Sequence, residues 1–311
     1  MSAMSTLANF LLDNTLFRLP PQLYSYVEGT TPLSTDRAVL SALTSYLVVI
    51  FSIQAFMKNH KPLKLTRLFR VHNFILSSGS LLLLILMLEE ILPIIWNNGF
   101  YHAVCASEAW TPKLEFYYMV NYYFKYLELL DTVFLALKKK PLQFLHVFHH
   151  YATAVLCYVQ LNEQTSMSWA VISVNLAVHV VMYYYYYATA GGAKLWWKKY
   201  LTIMQIGQFI IDLACVYFGI YQRMAFEYYP HLPIIGSCAG TKKAAVFAST
   251  ILTSYLGLFI HFYFQTYKES PSSKKFISNG VANYHANGKA NGKVYGEDRA
   301  YENNEHVFCV Q

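Results

Sequence analysis

The sequence predicts an all-α polytopic membrane protein. Of its 311 residues, 55% are hydrophobic and only 13% are charged. An ordinary soluble domain carries about 25% charged residues, so the composition argues against that class. Several apolar runs also reach about 20 residues, which is the length that an α-helix needs to cross roughly 30 Å of hydrocarbon. We therefore interpret these runs as transmembrane helices.

Seven transmembrane helices are predicted. Their positions, in chain order, are about 37–57, 70–92, 114–137, 142–161, 168–189, 199–221 and 244–267. The fourth has the weakest apolar signal, because its first turns carry His146, His149 and His150.

Basic residues between these helices predict the orientation. Segment 58–70 holds five Lys and Arg, and segments 138–140 and 194–199 add three each. The loops at the opposite helix ends hold four in total, in 93–113, 162–167 and 222–243. Because basic loops stay in the cytosol, the first set is expected there. With seven helices, the N-terminus is then lumenal and the C-terminus cytosolic.

This topology divides the chain into three parts. Residues 1–36 form a lumenal N-terminal segment, 37–267 the helical domain, and 268–311 a cytosolic tail. From Ser270 the tail is rich in Asn, Gly and Lys. Such a composition cannot bury a core, so the tail is expected to be disordered.

Two cysteines fall in different lumenal loops. Cys105 precedes the third predicted helix and Cys238 precedes the seventh. The lumen is the oxidising side, so a disulfide between them is expected. The alternative is two free thiols, since a sequence does not give the distance between them.

Four of the predicted helices carry a polar stripe on one face, because the residues recur three or four positions apart. The stripes are Lys125, Glu128, Asp131 and Thr132; His146, His149 and His150; Asn175, His179, Met182, Tyr183 and Tyr186; and Thr202, Gln205, Gln208 and Asp212. At 1.5 Å per residue, all four lie roughly 10 to 15 Å from the cytosolic helix ends.

Each stripe alone has a structural interpretation. The Thr/Gln stripe could supply interhelical hydrogen bonds, Lys125 and Glu128 a buried ion pair, and the tyrosines packing. Polar groups at such depth usually face a bundle interior or a wet cavity and mark function. Four stripes at one depth therefore favour a catalytic or ligand site.

Two kinds of chemistry fit clustered histidines. The first is a metal centre, since neutral imidazole is the commonest metal ligand. Membrane oxidases and desaturases need several histidine boxes, whereas this chain has one box and His179, with His72 and His261 isolated near helix ends. The second is acyl transfer, in which a neutral histidine attacks a thioester and forms an acyl-imidazole.

The basic residues at the cytosolic mouth suit the phosphates of coenzyme A. These residues are Lys138, Lys139, Lys140, Lys198 and Lys199. The alternative is that they serve only as topology signals. An aromatic-rich bundle suits a fatty chain, so an acyl-CoA is the expected substrate. The net charge of +7 follows the membrane topology, and no nucleic-acid partner is expected.

Four motifs make this expectation specific. The stretches "KYLELLDT", "HVFHH", "NLAVHVVMYYYYY" and "TIMQIGQ" resemble, in order, the signatures of the ELO family of very-long-chain fatty acid elongases. The resemblance covers about residues 37–267, and fungal members look most similar. It implies seven helices, six of them in a barrel around a narrow acyl-chain tunnel, and it agrees with the lumenal disulfide.

The activity that the resemblance implies is that of a 3-ketoacyl-CoA synthase of the endoplasmic reticulum membrane. Such an enzyme joins malonyl-CoA to a long-chain acyl-CoA, releases CO2 and CoA, and needs no metal or other cofactor. A ketoreductase, a dehydratase and an enoyl reductase are the implied partners. A homodimer and contact with membrane lipid are also expected.

We expect His149 to accept the acyl group and His179 to position the thioester or assist decarboxylation. His146 and His150 would act as orienting or acid–base partners. The residues expected to hold the histidine tautomers and the thioester carbonyl, or to line the cavity, are Lys125, Glu128, Asp131, Asn175, Tyr183, Gln205 and Gln208. The alternatives are a histidine-liganded metal oxidase and a seven-span receptor or transporter.

Overall fold

Regular structure is helical throughout the computed structural model, which describes residues 25–229 and 231–267. Its helices are α1 Asp36–Met57, α2 Thr66–Asn98, α3 Phe100–Cys105, α4 Pro112–Leu137, α5 Phe144–Asn162, α6 Ser168–Ala190, α7 Lys198–Tyr228 and α8 Lys242–Tyr267. The seven long helices lie at the seven predicted positions. The predicted disordered tail, 268–311, lies outside the described residues.

Two helices extend well beyond their predicted ends. Helix α2 covers Thr66–Asn98 instead of 70–92, and α7 covers Lys198–Tyr228 instead of 199–221. The predicted ends follow the apolar stretch. The helical backbone continues beyond it, because its N–H and C=O groups form the same hydrogen bonds whether the side chains are polar or apolar. The short helix α3 was not predicted. It follows Gly99, whose φ of 86° is a conformation that glycine adopts without steric cost and that ends α2.

The chain is a multi-pass membrane protein. By length and apolar composition, five helices of the described chain are able to cross a membrane, namely α1, α2, α6, α7 and α8. Helix α4 falls outside this group because it carries Lys125, Glu128 and Asp131, and the first turns of α5 carry three histidines. Seven crossings therefore remain a prediction.

The helix contacts follow a closed circuit. Helix α2 packs on α4, α4 on α5, α5 on α8, α8 on α7, α7 on α6, and α6 returns to α2. Helix α1 packs on α4, outside this circuit. Helices α4, α5, α6 and α7, which carry the polar stripes, thus belong to this circuit. That the circuit encloses an acyl chain remains a prediction.

The two ends of the bundle have different character. We call the end formed by loops 58–65, 138–143 and 191–197 the basic end. We call the end formed by residues 99–111, 163–167 and 231–241 the disulfide end. There, Cys105 and Cys238 form the expected disulfide, and the backbone N–H of Ala239 donates to the carbonyl of Cys105 at 2.8 Å. The disulfide thus joins the segment after α3 to the segment before α8.

Candidate active site

A closed polar ring joins α4 to α6. The Lys125 ammonium donates to Glu128 Oε1 at 2.9 Å and to Asn175 Oδ1 at 2.8 Å. Asn175 Nδ2 lies 3.2 Å from His179 Nε2, and His179 Nδ1 lies 3.2 Å from Glu128 Oε1. Lys125, Glu128 and His179 are all at least 96% buried. Four predicted residues from two stripes therefore form one contact network.

This ring defines the tautomer of His179. An ammonium group only donates, so the Asn175 atom that faces Lys125 must be the amide oxygen. The Asn175 amide nitrogen then faces His179 Nε2 and donates to it. Nε2 therefore carries no proton, and the neutral ring bears its proton on Nδ1, beside the Glu128 carboxylate. The contact between His179 Nδ1 and Glu128 Oε1 is electrostatic, because the N–H bond at Nδ1 does not point at the carboxylate oxygen closely enough for a hydrogen bond.

A second network connects α2, α4 and α6. His72 Nε2 lies 2.8 Å from Asp131 Oδ1, and the Tyr183 hydroxyl donates to Asp131 Oδ2 at 3.0 Å. The prediction that His72 is an isolated histidine is wrong. The α2–α4 contact brings it onto a carboxylate that the sequence had already placed in the site.

The histidine box begins with His146 against α4. Its Nε2 lies 3.0 Å from the Thr132 hydroxyl, which also accepts from the Tyr46 hydroxyl at 2.7 Å. The rings of His146 and His150 are 4.5 Å apart. The box is thus anchored to the same face of α4 as the charged residues.

His149 points in another direction, towards α8. Its ring lies 5.6 Å from His150, 4.8 Å from Tyr255 and 6.0 Å from Phe259, measured between centroids. The Tyr255 hydroxyl donates to the His149 backbone carbonyl at 3.1 Å. Within the described chain, His149 Nδ1, His150 Nε2 and His146 Nδ1 are buried without a hydrogen-bond partner. Each of these nitrogens thus retains the capacity to donate or accept a hydrogen bond.

The polar stripe of α7 contacts both α6 and α8. Gln205 Nε2 lies 3.4 Å from Met182 Sδ, and Gln208 Nε2 donates to Asp212 Oδ2 at 3.3 Å. Thr202 contacts the Tyr267 hydroxyl of α8 at 3.4 Å. Tyr186 is half-buried and packs edge-on against Tyr185.

The predicted coenzyme A lysines lie at the basic end and are not part of the buried networks. Lys138 Nζ sits 3.7 Å above the Phe69 ring, and Lys199 Nζ lies 5.7 Å from the Tyr263 ring. Lys139 donates to the Lys58 carbonyl at 3.0 Å. The remaining two, Lys140 and Lys198, are partly exposed. Lys139 and Lys199 are exposed, so the five lysines give the basic end a cationic surface.

We call the contact network of Lys125, Glu128, Asn175 and His179 the charged ring. An apolar cavity runs from the charged ring to the disulfide end. Near the ring it is lined by Lys125, Asn175 and Gln208. Its middle is lined by side chains from α5, α6, α7 and α8, including Leu156, Ile172, Phe209 and Leu252. At the disulfide end it is lined by Cys238, Ala239, Gly240 and Thr241. We call these four residues the floor segment.

Two site residues were missed at the sequence level. From the predicted helix start at residue 70, His72 lies only about 3 Å along the helix, and the observed start at Thr66 increases this to about 9 Å, near the depth of the four stripes. Tyr46 had no distinguishing signal, because tyrosines are common throughout this sequence. Among the described residues, no group of three or more His, Cys, Asp or Glu side chains is arranged to hold a metal ion.

Comparison with known proteins matches residues 31–275 to the family described as "ELO: GNS1/SUR4 family". Putative fatty acid elongase 1 of Schizosaccharomyces pombe is 49% identical over 254 residues, which cover 82% of this chain and 76% of that protein. Fatty acid elongase A of Dictyostelium discoideum is 35% identical, with 81% and 91% covered. Very long chain fatty acid elongase 4 of Homo sapiens is 29% identical, with 82% and 80% covered. The chain therefore belongs to the ELO family.

Proposed function

We propose that the protein is the condensing enzyme of fatty acid elongation. It joins malonyl-CoA to a long-chain acyl-CoA and releases 3-ketoacyl-CoA, CO2 and CoA. The observation that carries this proposal is an apolar cavity whose wall includes Lys125 and Asn175, two residues in direct contact with the buried Glu128 and His179. The names of the matched elongases support the same substrate class.

The cavity suits the acyl chain. Its walls are mainly apolar, and Lys125 and Asn175 line it where it meets the charged ring. An acyl-CoA would place its chain in the cavity, its thioester beside the charged ring, and its phosphates among the lysines of the basic end. Chain length would then be limited where the floor segment closes the cavity.

The first chemical step would be acyl transfer to His149. A neutral imidazole nitrogen attacks the thioester carbonyl, the C–S bond breaks, and the proton from the other ring nitrogen passes to the CoA thiolate. This step leaves an acyl-imidazole and CoA as a thiol. The unpartnered Nδ1 of His149 supports this role. His179 is less suited to it, because Asn175 already occupies its unprotonated nitrogen.

The second step would be decarboxylative condensation. The C–C bond to the malonyl carboxylate breaks, CO2 leaves, and the electron pair forms an enolate on the remaining thioester. The enolate carbon attacks the acyl carbonyl, the bond from this carbon to the imidazole nitrogen breaks, and the leaving imidazole takes up a proton from water. Lys125 and Asn175 are the donors best placed to stabilise the enolate oxygen. His179, oriented by Glu128 and Asn175, would position the thioester. No metal is required for either step.

The cellular setting follows from the same proposal. The enzyme would reside in the endoplasmic reticulum membrane, with the basic end in the cytosol and the disulfide end in the lumen. Its product is a 3-ketoacyl-CoA, so a ketoreductase, a dehydratase and an enoyl reductase would complete each extension. A homodimer within the lipid bilayer is the proposed assembly.

Purified protein supplied with labelled malonyl-CoA and a series of acyl-CoAs of increasing length tests the proposal. We expect labelled 3-ketoacyl-CoA from the unsubstituted protein and from His261→Leu, which alters an exposed histidine of α8. His149→Ala should form none, and a chelator should leave the yield unchanged. Absence of product with every acyl-CoA would contradict the proposal. Loss of product with the chelator would favour a metal enzyme.

A further inference from the structure

His72 has the environment of a site residue although it lies outside the four family motifs. It is 6% exposed, and its ring packs against Phe134 of α4 at 5.2 Å. Its Nε2 lies 2.8 Å from Asp131 Oδ1. A carboxylate only accepts hydrogen bonds, so His72 Nε2 carries the hydrogen and donates it. Helix α2 thus contributes a donor to the site.

Asp131 also contacts α6. Its second oxygen, Oδ2, accepts from the Tyr183 hydroxyl at 3.0 Å. Tyr183 has no exposed surface, and its ring meets His179 edge-on, with centroids 5.4 Å apart and an angle of 88°. His72, Asp131 and Tyr183 therefore form a chain of contacts that ends on the ring of His179.

The charges of α4 explain why such a donor is needed. Glu128 and Asp131 are two carboxylates on one face of a buried helix, three residues apart. Lys125 compensates Glu128 at 2.9 Å, and its second contact goes to Asn175. Asp131 takes its hydrogen bonds from His72 and Tyr183. A buried carboxylate that loses a donor is strongly destabilised, so without His72 the carboxylate would shift and carry Tyr183 with it.

We infer that His72 is a positioning residue for the condensation reaction. It holds Asp131 in place, and Asp131 in turn holds Tyr183 against His179. The inference rests on the proposed function, since it concerns the same site and the same reaction. It adds a residue of α2 to the site, whose four polar stripes lie on α4, α5, α6 and α7.

Substitution of His72 separates this role from simple packing. His72→Leu should lower kcat by about tenfold or more and leave the KM for malonyl-CoA nearly unchanged, since a hydrogen bond to a charged group is lost away from the substrate. His72→Gln keeps an N–H donor and should retain most of the kcat. His261→Leu serves as the control for loss of a histidine from an exposed position. Should His72→Leu not be recovered folded, His72→Phe takes its place in the comparison.

A double-substitution cycle gives the decisive readout. If His72 acts through Asp131 on Tyr183, then His72→Leu should lower kcat much less in a Tyr183→Phe background than alone. Fully additive effects, or a kcat for His72→Leu equal to that of the unsubstituted enzyme, would overturn the inference. An unsubstituted protein that makes no 3-ketoacyl-CoA would instead contradict the proposed function itself.

Discussion

Substitution of Lys125 tests the charged ring most severely. Lys125→Met keeps the length of the side chain but removes the cation that neutralises Glu128, whose side chain is only 3% exposed. Asn175 Oδ1 loses its donor at the same time. Breaking a buried ion pair from one side costs about 3–5 kcal/mol, because the remaining charge stays out of water. The folded protein should therefore lose roughly that much stability.

The double variant Lys125→Met/Glu128→Gln also removes the buried Glu128 charge, which the single variant leaves without its cation. It should recover most of the stability, leaving a deficit of about 1–2 kcal/mol for the altered hydrogen bonds. Its elongation rate should stay low, by about a hundredfold or more, because His179 has lost its carboxylate. Thermal unfolding in detergent should show a Tm drop on the order of 10 °C for the single variant. A single variant as stable as the unsubstituted protein, or a double variant no more stable than the single, would refute this reasoning.

Three further predictions concern substrate binding. Gly219→Leu places a side chain against Met167 and Cys238, which line the cavity near its floor, and displacement of Met167 should shorten the products, whereas Gly207→Leu, on the same helix and facing open space, should not. Mass spectrometry of the products checks both, and equal distributions would contradict the expected floor. Replacing Cys105 and Cys238 together by serine releases the floor segment and should lengthen the products; an unchanged profile would show that the disulfide does not limit chain length. Lys199→Ala should raise the KM of both CoA substrates about twofold to fivefold at low salt, with kcat unchanged. Kinetics that are the same at low and high salt would argue against a phosphate contact.

Much of the fold was predictable because lipid imposes a length on apolar helices. The seven long helices lie where the apolar runs indicated, since each run matches the thickness of a bilayer. The ends of α2 and α7 were not predictable in this way. Their last turns are helical without being continuously apolar, and hydropathy reports the solvent around a helix more directly than its backbone geometry.

The site was predictable within helices and less so between them. Lys125 and Glu128 are three residues apart, so helical geometry alone placed them on one face. Their contacts with Asn175 and His179 agreed with the common depth of the stripes. The contact of His72 with Asp131 depends on which helix packs beside α4, and hydrophobic periodicity does not encode the order of helices around a bundle. Tyr46, on α1, was missed because tyrosines are common throughout this sequence.

Detection of the acyl-enzyme tests whether His149 carries the acyl group during condensation. The protein is incubated with a long-chain acyl-CoA in the absence of malonyl-CoA, and its peptides are then analysed by mass spectrometry. We expect one acyl group on the peptide that contains His149, its absence from His149→Ala, and its removal when malonyl-CoA is added. No adduct, or an adduct on a different residue, would rule out acyl transfer to His149.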